Sequence, residues 1–286
     1  PYEVLMVDNG DGSTEALVAR EFPEVRIVPS RGNVGFAAGN NLLAQHARAD
    51  LLLLLNPDMV LHDRAIDALL EGAAAHPDAA AWGGITVDSQ GQPDAGNAIS
   101  MPTLIEFASV AAGRSLAGRR PIAGLASDAK VPVLMGGFVM FGRAAWDQAN
   151  GLDERFFLYC EEVDLFYRLA KMGHSFWRIS AARGYHAIAH GNNFSPMRLL
   201  YRAAGTMEFV RHHWSWAGEI AAFVLVWLGA ATRFVAAGVL ARWRPHLRKM
   251  SDGYRRIALN PLDWRYGYDP RRGLMARLAR SAAPRD

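Results

Sequence analysis

The chain has 286 residues, 51% of them hydrophobic, and a formal net charge of +3, enough to bury a large core as one big α/β domain or a domain with an appendage. Its single cysteine, Cys160, excludes an internal disulfide and a multi-cysteine zinc site and fits a reducing compartment. The charge is unevenly spread: residues 1–197 carry 15 Lys and Arg against 22 Asp and Glu, a net −7, and residues 198–286 carry 16 against 6, a net +10. An acidic body with a basic tail points to an anionic partner, nucleic acid or a membrane surface. The apolar stretch inside that tail selects the membrane.

Residues 2–7 read as a strand that stops at Asp8-Asn9-Gly10-Asp11-Gly12-Ser13-Thr14, a cluster of turn formers ahead of a helical pattern over residues 15–21. Strand, polar turn and helix begin a βα unit, with Asp8 at the strand's carboxyl end and Ser13 or Thr14 placed to cap the helix. A second short strand over residues 25–29 leads into Gly32-Asn33-Val34-Gly35-Phe36-Ala37-Ala38-Gly39-Asn40-Asn41. This glycine spacing is neither G-x-G-x-x-G nor a P-loop. Small residues here let a helix over residues 37–47 pack tightly and bring backbone close to a ligand.

The next run, five leucines from Leu51 followed by Asn56-Pro57-Asp58, organises the rest of the chain. It is too short to cross a bilayer and suits a strand buried on both faces of a parallel sheet. Pro57 cannot continue a central ladder, so Asn56 and Asp58 emerge at the strand's carboxyl end, the edge where open α/β sheets hold ligands. An amide and a carboxylate there suit a divalent cation that carries phosphate. A helix over residues 63–75 and a strand over residues 79–87 follow, then an excursion over residues 88–130 with a helix near residues 103–112. Strand character resumes over residues 131–141, broken by Gly136-Gly137, and a short helix over residues 143–150 is closed by Gly151.

Glu161, Glu162 and Asp164 fall together at the start of a helix that runs to Met172. On a helix Glu161 and Asp164 share a face while Glu162 points elsewhere, so the three cannot serve one partner. The apolar residues 156–159 before them favour burial of at least one acid, which raises its pKa toward the range of a general base. After a last strand over residues 174–179 come His186 and His190, each either a structural histidine or a ligand. From Met197 the pattern changes: residues 199–213 are helical and basic, and residues 217–241 are apolar except for Glu219, Thr232 and Arg233. That stretch spans a bilayer only with Arg233 inside it, so it reads as a helix lying in the interface with its arginines snorkelling, or as a buried docking helix.

Four segments, in this order, resemble a family 2 glycosyltransferase of the GT-A fold, and within it the rhamnosyltransferase-like group that builds bacterial cell-surface polysaccharide. They are Val7-Asp8-Asn9 with Asp11-Gly12-Ser13, then residues 33–41, then Asn56-Pro57-Asp58, then Gly136-Gly137 through Gly151-Leu152-Asp153-Glu154 to Glu161-Glu162-Val163-Asp164-Leu165. The resemblance implies an α/β catalytic domain over residues 1–197, with a mainly parallel central sheet flanked by helices and a first strand that would precede Pro1. A helical, membrane-associating extension over residues 198–286 completes it. Asp8 and Asn9, with Asn33 and Gly35 nearby, are implied to bind the nucleotide, and Asn56, Asp58 and Gly137 the rest of the donor. Asn56-Pro57-Asp58 stands where the family has its metal-binding D-x-D, which makes Asp58 a ligand to Mg2+ or Mn2+, with His190, in preference to His186, as a further ligand. Glu161-Glu162 replaces the family's Glu-Asp pair and gives Glu162 the role of catalytic base, with Glu161 beside it.

The activity so implied is an inverting transfer of a sugar, rhamnose in that group, from a dTDP- or UDP-sugar to a hydroxyl of a polyprenyl-diphosphate-linked glycan. It would take place at the cytoplasmic face of the bacterial inner membrane, on an anionic surface, with the chain peripheral or held by one C-terminal hydrophobic helix. Nucleic acid has no part in it. The strand missing before Pro1 and the Glu162 variant leave open a catalytically inactive, membrane-associated sugar-nucleotide-binding protein. A dinucleotide oxidoreductase would need a G-x-G-x-x-G turn, and a nucleotidyltransferase a glycine- and lysine-rich loop after its first strand; neither is present.

Overall fold

The computed structural model describes residues 2–88, 90–93, 98–113, 125–186 and 195–282. Two units divide them, one built on a sheet and one helical. The first opens with β1 (Leu5–Met6), α1 (Ser13–Glu21), β2 (Arg26–Ile27) and α2 (Gly35–His46), and β1 pairs in parallel with β2 as a small sheet of its own. The leucine run becomes β3 (Leu51–Leu55), followed by β4 (Met59–Leu61), α3 (Ala65–Ala75), β5 (Ala79–Val87) and β6 (Ala98–Ile99). After α4 (Leu104–Ala111), which belongs to the helical unit, come β7 (Ala129–Lys130), β8 (Val133–Leu134), β9 (Phe138–Gly142), α5 (Arg143–Gln148), α6 (Glu161–Lys171) and β10 (Ser175–His186).

The main sheet has the order β3-β9-β5-β10-β4, with β7 beside β10. The expectation of a mainly parallel sheet is corrected: β5–β10 is parallel, whereas β3–β9, β9–β5, β10–β4 and β10–β7 are all antiparallel. The excursion after β5 explains the reversal. It leaves from the carboxyl end of β5, and β9 starts at that same end and runs back between β3 and β5. β3, β5 and β10 still point one way, and their carboxyl ends share an edge.

Alternation along β9 builds the two halves of the core. Phe138 and Met140 pack with Leu69, Trp82 and Ile179 under α3, joined by Leu51 and Leu53. Phe141 faces the other side, where its ring lies 5.5 Å from that of Phe166 in α6, itself 4.6 Å from Phe176 of β10. Such aromatic pairs carry much of the energy that fixes α6 on the sheet. At α1, neither Ser13 nor Thr14 is the cap. Gly12 holds the N-cap position without a side-chain bond, and the carboxylate of Asp8 accepts from Glu15 N at 3.2 Å instead.

The helical unit joins α4 and Leu158–Cys160 to α7 (Pro196–His213), α8 (Trp216–Leu240), α9 (Leu247–Leu259), a 3₁₀ turn (Pro261–Asp263) and α10 (Leu274–Ala282). Ser195 and Ser215 cap α7 and α8 through their hydroxyls, and Pro196 fits the first turn of α7. Trp264 is fully buried and donates from Nε1 to Ile257 O at 3.0 Å. Arg233 does not snorkel: its guanidinium donates to Val110 O of α4 at 2.9 Å and to Gly229 O at 2.8 Å.

Candidate active site

The first half of the site is the carboxyl end of β3. There the ladder ends at Pro57, and Asn56 N donates to Gly137 O at 3.0 Å while Asn56 O accepts from Met59 N at 3.1 Å, a tight turn into β4. Asp58 sits in that turn. β4 runs antiparallel to the far end of β10, with Met59 opposite His186, and so His186 Nε2 comes within 3.1 Å of Asp58 Oδ1. β10 extends well past the expected end near residue 179, and this extension is what delivers His186. Both side chains are partly exposed, so a carboxylate oxygen and an imidazole nitrogen stand open together to a ligand. The pair fits a divalent ion that accepts oxygen and imidazole donors, as Mn2+ does, with further positions left to a diphosphate and water. Among the described residues no group of three His, Cys, Asp or Glu gathers at one point, and His190 lies outside the described residues.

Gly136-Gly137 connects this edge to the second half. A Cβ on Gly137 would meet Asn56 Nδ2 at 2.7 Å, and one on Gly136 would stand 3.8 Å from Glu162 Cβ and 3.4 Å from the Phe36 ring. Bare backbone therefore lies between Asn56 and the first turn of α6, where side chains would fill the gap.

That first turn carries Glu161, Glu162 and Asp164, all buried. Asp164 belongs to the fold: its Oδ2 accepts from Arg168 Nε at 2.7 Å, and the same guanidinium donates to Ala149 O and, at 2.9 Å, to Gly151 O, holding the left-handed Asn150-Gly151 turn. Glu161 is placed differently. Its Oε2 is buried without a hydrogen bond, and burial, followed by the neighbouring Glu162 carboxylate, pushes its pKa well above the usual carboxylate range. Just ahead of the acids, Tyr159 and Cys160 hold φ of 69° and 72°. Two consecutive left-handed residues with side chains are costly, and such strain concentrates at functional sites.

The loops after β1 and β2 make the third part. The buried Asp8 carboxylate accepts from Gly10 N at 2.6 Å and from Glu15 N, and its carbonyl accepts from the Ser30 hydroxyl, so Asp8 shapes its own turn. Asn9 Nδ2 donates to Gly35 O at 2.9 Å, and Asn33 Oδ1 accepts from Gly35 N at 3.3 Å. Gly35 has φ +87°, and a Cβ there would run into the Phe157 carbonyl, which already accepts from Phe36 N at 2.8 Å. Asn9, Asn33 and Gly35 thus form one hydrogen-bonded cluster that adjoins the Asp8 turn in the chain and is tied through Phe157 to the segment that enters α6.

Sequence reasoning set His186 behind His190 and gave Asn41 no role. Asn41 clamps the chain before α6, donating to Leu152 O at 2.8 Å and accepting from Leu152 N at 3.0 Å. The one sequence signal for His186 is the apolar triplet Met59-Val60-Leu61 directly after Asp58, which is able to pair as a strand.

A mixed sheet with helices packed on it, a carboxylate and a histidine at its carboxyl edge and a buried acid pair at the start of α6 fit the GT-A fold. The profile of Glycosyl transferase family 2 matches residues 1–148. The chain is 32% identical over 267 residues, 86% of its length and 83% of the relative's, to the N-acetylglucosaminyl-diphospho-decaprenol L-rhamnosyltransferase of Mycobacterium tuberculosis (strain CDC 1551 / Oshkosh). It is 24% identical over 211 residues, 70% of its length and 78% of the relative's, to Rhamnosyltransferase WbbL of Escherichia coli (strain K12). Its fold matches that of the mannosyltransferase PcManGT from Pyrobaculum calidifontis, in complex with GDP-Man and Mn2+, with a TM-score of 0.54 and 14% identity, covering 91% of this chain and 78% of that one. The chain belongs to glycosyl transferase family 2.

Proposed function

We propose that the protein is an inverting, metal-dependent rhamnosyltransferase. It moves rhamnose from a dTDP- or UDP-sugar to a hydroxyl of N-acetylglucosamine on a polyprenyl diphosphate, at the cytoplasmic face of a bacterial inner membrane. The observation that carries the chemistry is the Asp58–His186 pair just past the end of β3, together with the buried Glu161–Glu162 pair, with Gly136-Gly137 between Asn56 and Glu162. The sugar and the acceptor are supported by the 32% identity to a rhamnosyltransferase named for decaprenol-linked N-acetylglucosamine.

Glu162 takes the proton of the acceptor hydroxyl, whose oxygen attacks the anomeric carbon from the side opposite the diphosphate. The new carbon–oxygen bond forms as the bond to the diphosphate breaks, the electron pair leaves with the nucleotide diphosphate, and the configuration inverts. Asp58 and His186 would hold the divalent cation, which supplies positive charge at the departing diphosphate when bound. Asp8, Asn9, Asn33 and Gly35 shape the nucleotide's seat, and Asn56 and Gly137 border the donor phosphates. Burial and then the neighbouring Glu162 carboxylate raise the pKa of Glu161, which favours its neutral form beside the base.

The test is thermal shift with dTDP or UDP across an Mn2+ titration. Asp58→Ala is expected to lose the Mn2+-dependent part of nucleotide stabilisation while keeping its melting point without ligand. His186→Ala is expected to weaken Mn2+ affinity by about tenfold, roughly 1.4 kcal/mol. Identical titrations for wild type and His186→Ala would return the second ligand to His190.

A further inference from the structure

The helical unit carries a face that none of the catalytic residues use. α8 spans 25 residues and is long and apolar enough to cross a bilayer. At about 100° per residue, Ala222, Gly229, Ala230 and Ala237 fall on one side, and these are its buried residues. Arg233 and Glu219 fall on that same side, where Arg233 is held by the Val110 and Gly229 carbonyls and Glu219 lies 3.9 Å from Arg211. The opposite side carries Val224, Leu228, Val235 and Val239, which fall within about 60° of one another and are all exposed, Val235 at 58% and Val239 at 49%. No charge interrupts that stripe over about 22 Å of helix.

We propose that α8 lies in the plane of an anionic membrane, its Val224–Leu228–Val235–Val239 stripe sunk at the boundary of headgroups and acyl chains. The proposal rests on the reading that the acceptor is lipid-linked, and it specifies how the chain meets that lipid. Two observations choose this occupant and this orientation. Exposed Trp216 (76%) and Trp243 (71%) flank the helix, the side chains that favour the membrane interface. Exposed Arg242, Arg244, Arg248 and Lys249 follow its carboxyl end, matched to anionic headgroups. Spanning is excluded by the partner helix. α9 packs along α8, with Ser251 Oγ donating to Phe234 O at 3.0 Å and Trp227 Nε1 donating to Ala258 O at 2.9 Å. A crossing would carry the exposed Arg248, Lys249, Asp252 and Arg255 of α9 into hydrocarbon beside α8.

The experiment is flotation of the full chain with vesicles of phosphatidylcholine alone and of phosphatidylcholine with phosphatidylglycerol. Wild type is expected to float with the anionic vesicles and to be released by alkaline carbonate. The double variant Leu228→Glu/Val235→Glu, altered only at exposed positions, is expected to lose about a hundredfold in partitioning, tenfold or more for each buried side chain removed. Its circular-dichroism melt and its transfer to a water-soluble, short-chain acceptor are expected to stay as in wild type. A double variant that floats like wild type overturns the proposal, and so does a wild type that resists carbonate, which means a spanning helix. A wild-type dimer that the variant splits, without flotation of either, gives the stripe to a second copy of the chain and likewise overturns it. Absence of rhamnosyl transfer by wild type to the soluble acceptor, with flotation as expected, removes the proposed activity and leaves the membrane face supported.

Discussion

Two buried glutamates, Glu208 in α7 and Glu161 in α6, are each 4% exposed, and their surroundings could hardly differ more. Glu208 accepts from Tyr268 N at 2.7 Å, with Arg211 Nη1 at 4.0 Å and His212 Nδ1 at 3.4 Å. Tyr268 N draws the polypeptide after α9 back onto α7, while Arg211 and His212 flank the carboxylate from α7 itself, so the acid is a fastener. Glu161 has Glu162 as its electrostatic neighbour and a buried oxygen without a hydrogen bond. A buried acid that serves the fold is surrounded by donors, whereas one that serves chemistry is held against its own solvation preference. Asp164, three residues on from Glu161, repeats the first pattern with Arg168, so the contrast runs within a single helical turn.

The largest effect expected from this contrast lies at Glu162. Glu162→Gln keeps the size of the side chain but cannot take the acceptor proton, so transfer should fall by about 10²- to 10⁴-fold with donor affinity nearly unchanged. Glu162→Asp should retain part of the activity on its shorter arm. Steady-state kinetics beside a donor-binding isotherm decide it. A collapse in Glu161→Gln with normal turnover in Glu162→Gln would move the base to the other neighbour.

Glu208→Ala comes next and should act on stability alone. It leaves the Tyr268 amide without its acceptor and removes a carboxylate from beside Arg211 and His212, a loss of about 3 kcal/mol, with Tm falling by about 2–4 °C per kcal/mol. Transfer per folded molecule should stay within about twofold of wild type, because Glu208 touches no reacting group. An unchanged melt would mean that the donors around Glu208 find other acceptors, and the fastener reading would be lost.

How far these roles could be read from the chain follows from what each depends on. The leucine strand, the turn formers after β1 and the acids at the start of α6 rest on local spacing and composition, and each appears where spacing predicts it, although β3 stands at the end of the sheet order, antiparallel to β9 and with Leu55 exposed, rather than buried on both faces of a parallel sheet. What escaped local reading depends on long-range pairing. The reversed β9 follows from where the 88–130 excursion returns to the sheet, and the place of His186 beside Asp58 follows from the β4–β10 register. Arg233 looked like a snorkelling cation because the carbonyl it binds lies in α4, far earlier in the chain. The resemblance implies a nucleotide contact at Asp8, and the bonds its carboxylate accepts from the amides of Gly10 and Glu15 become visible only once the turn is closed.

The smallest expected effect, and the one that probes the contrast most directly, is the pH dependence of stability at Glu161. Burial and the Glu162 charge raise its pKa in the folded protein, so the folded state binds this proton more tightly than the unfolded chain does. Stability contributed by that proton is fully present below the unfolded pKa and is lost as pH rises through the folded one. Glu161→Gln has no proton to lose. Its Tm should therefore lie close to that of wild type in mildly acidic solution and rise above it at alkaline pH, by about 2–4 °C for each kcal/mol of penalty removed. Glu208→Gln, by contrast, should lower Tm, because an amide lacks the negative charge that the carboxylate sets beside Arg211 and His212. A Glu161→Gln curve parallel to wild type across the range would mean that Glu161 titrates alike in both states, and α6 and α7 would then treat their buried acids in the same way.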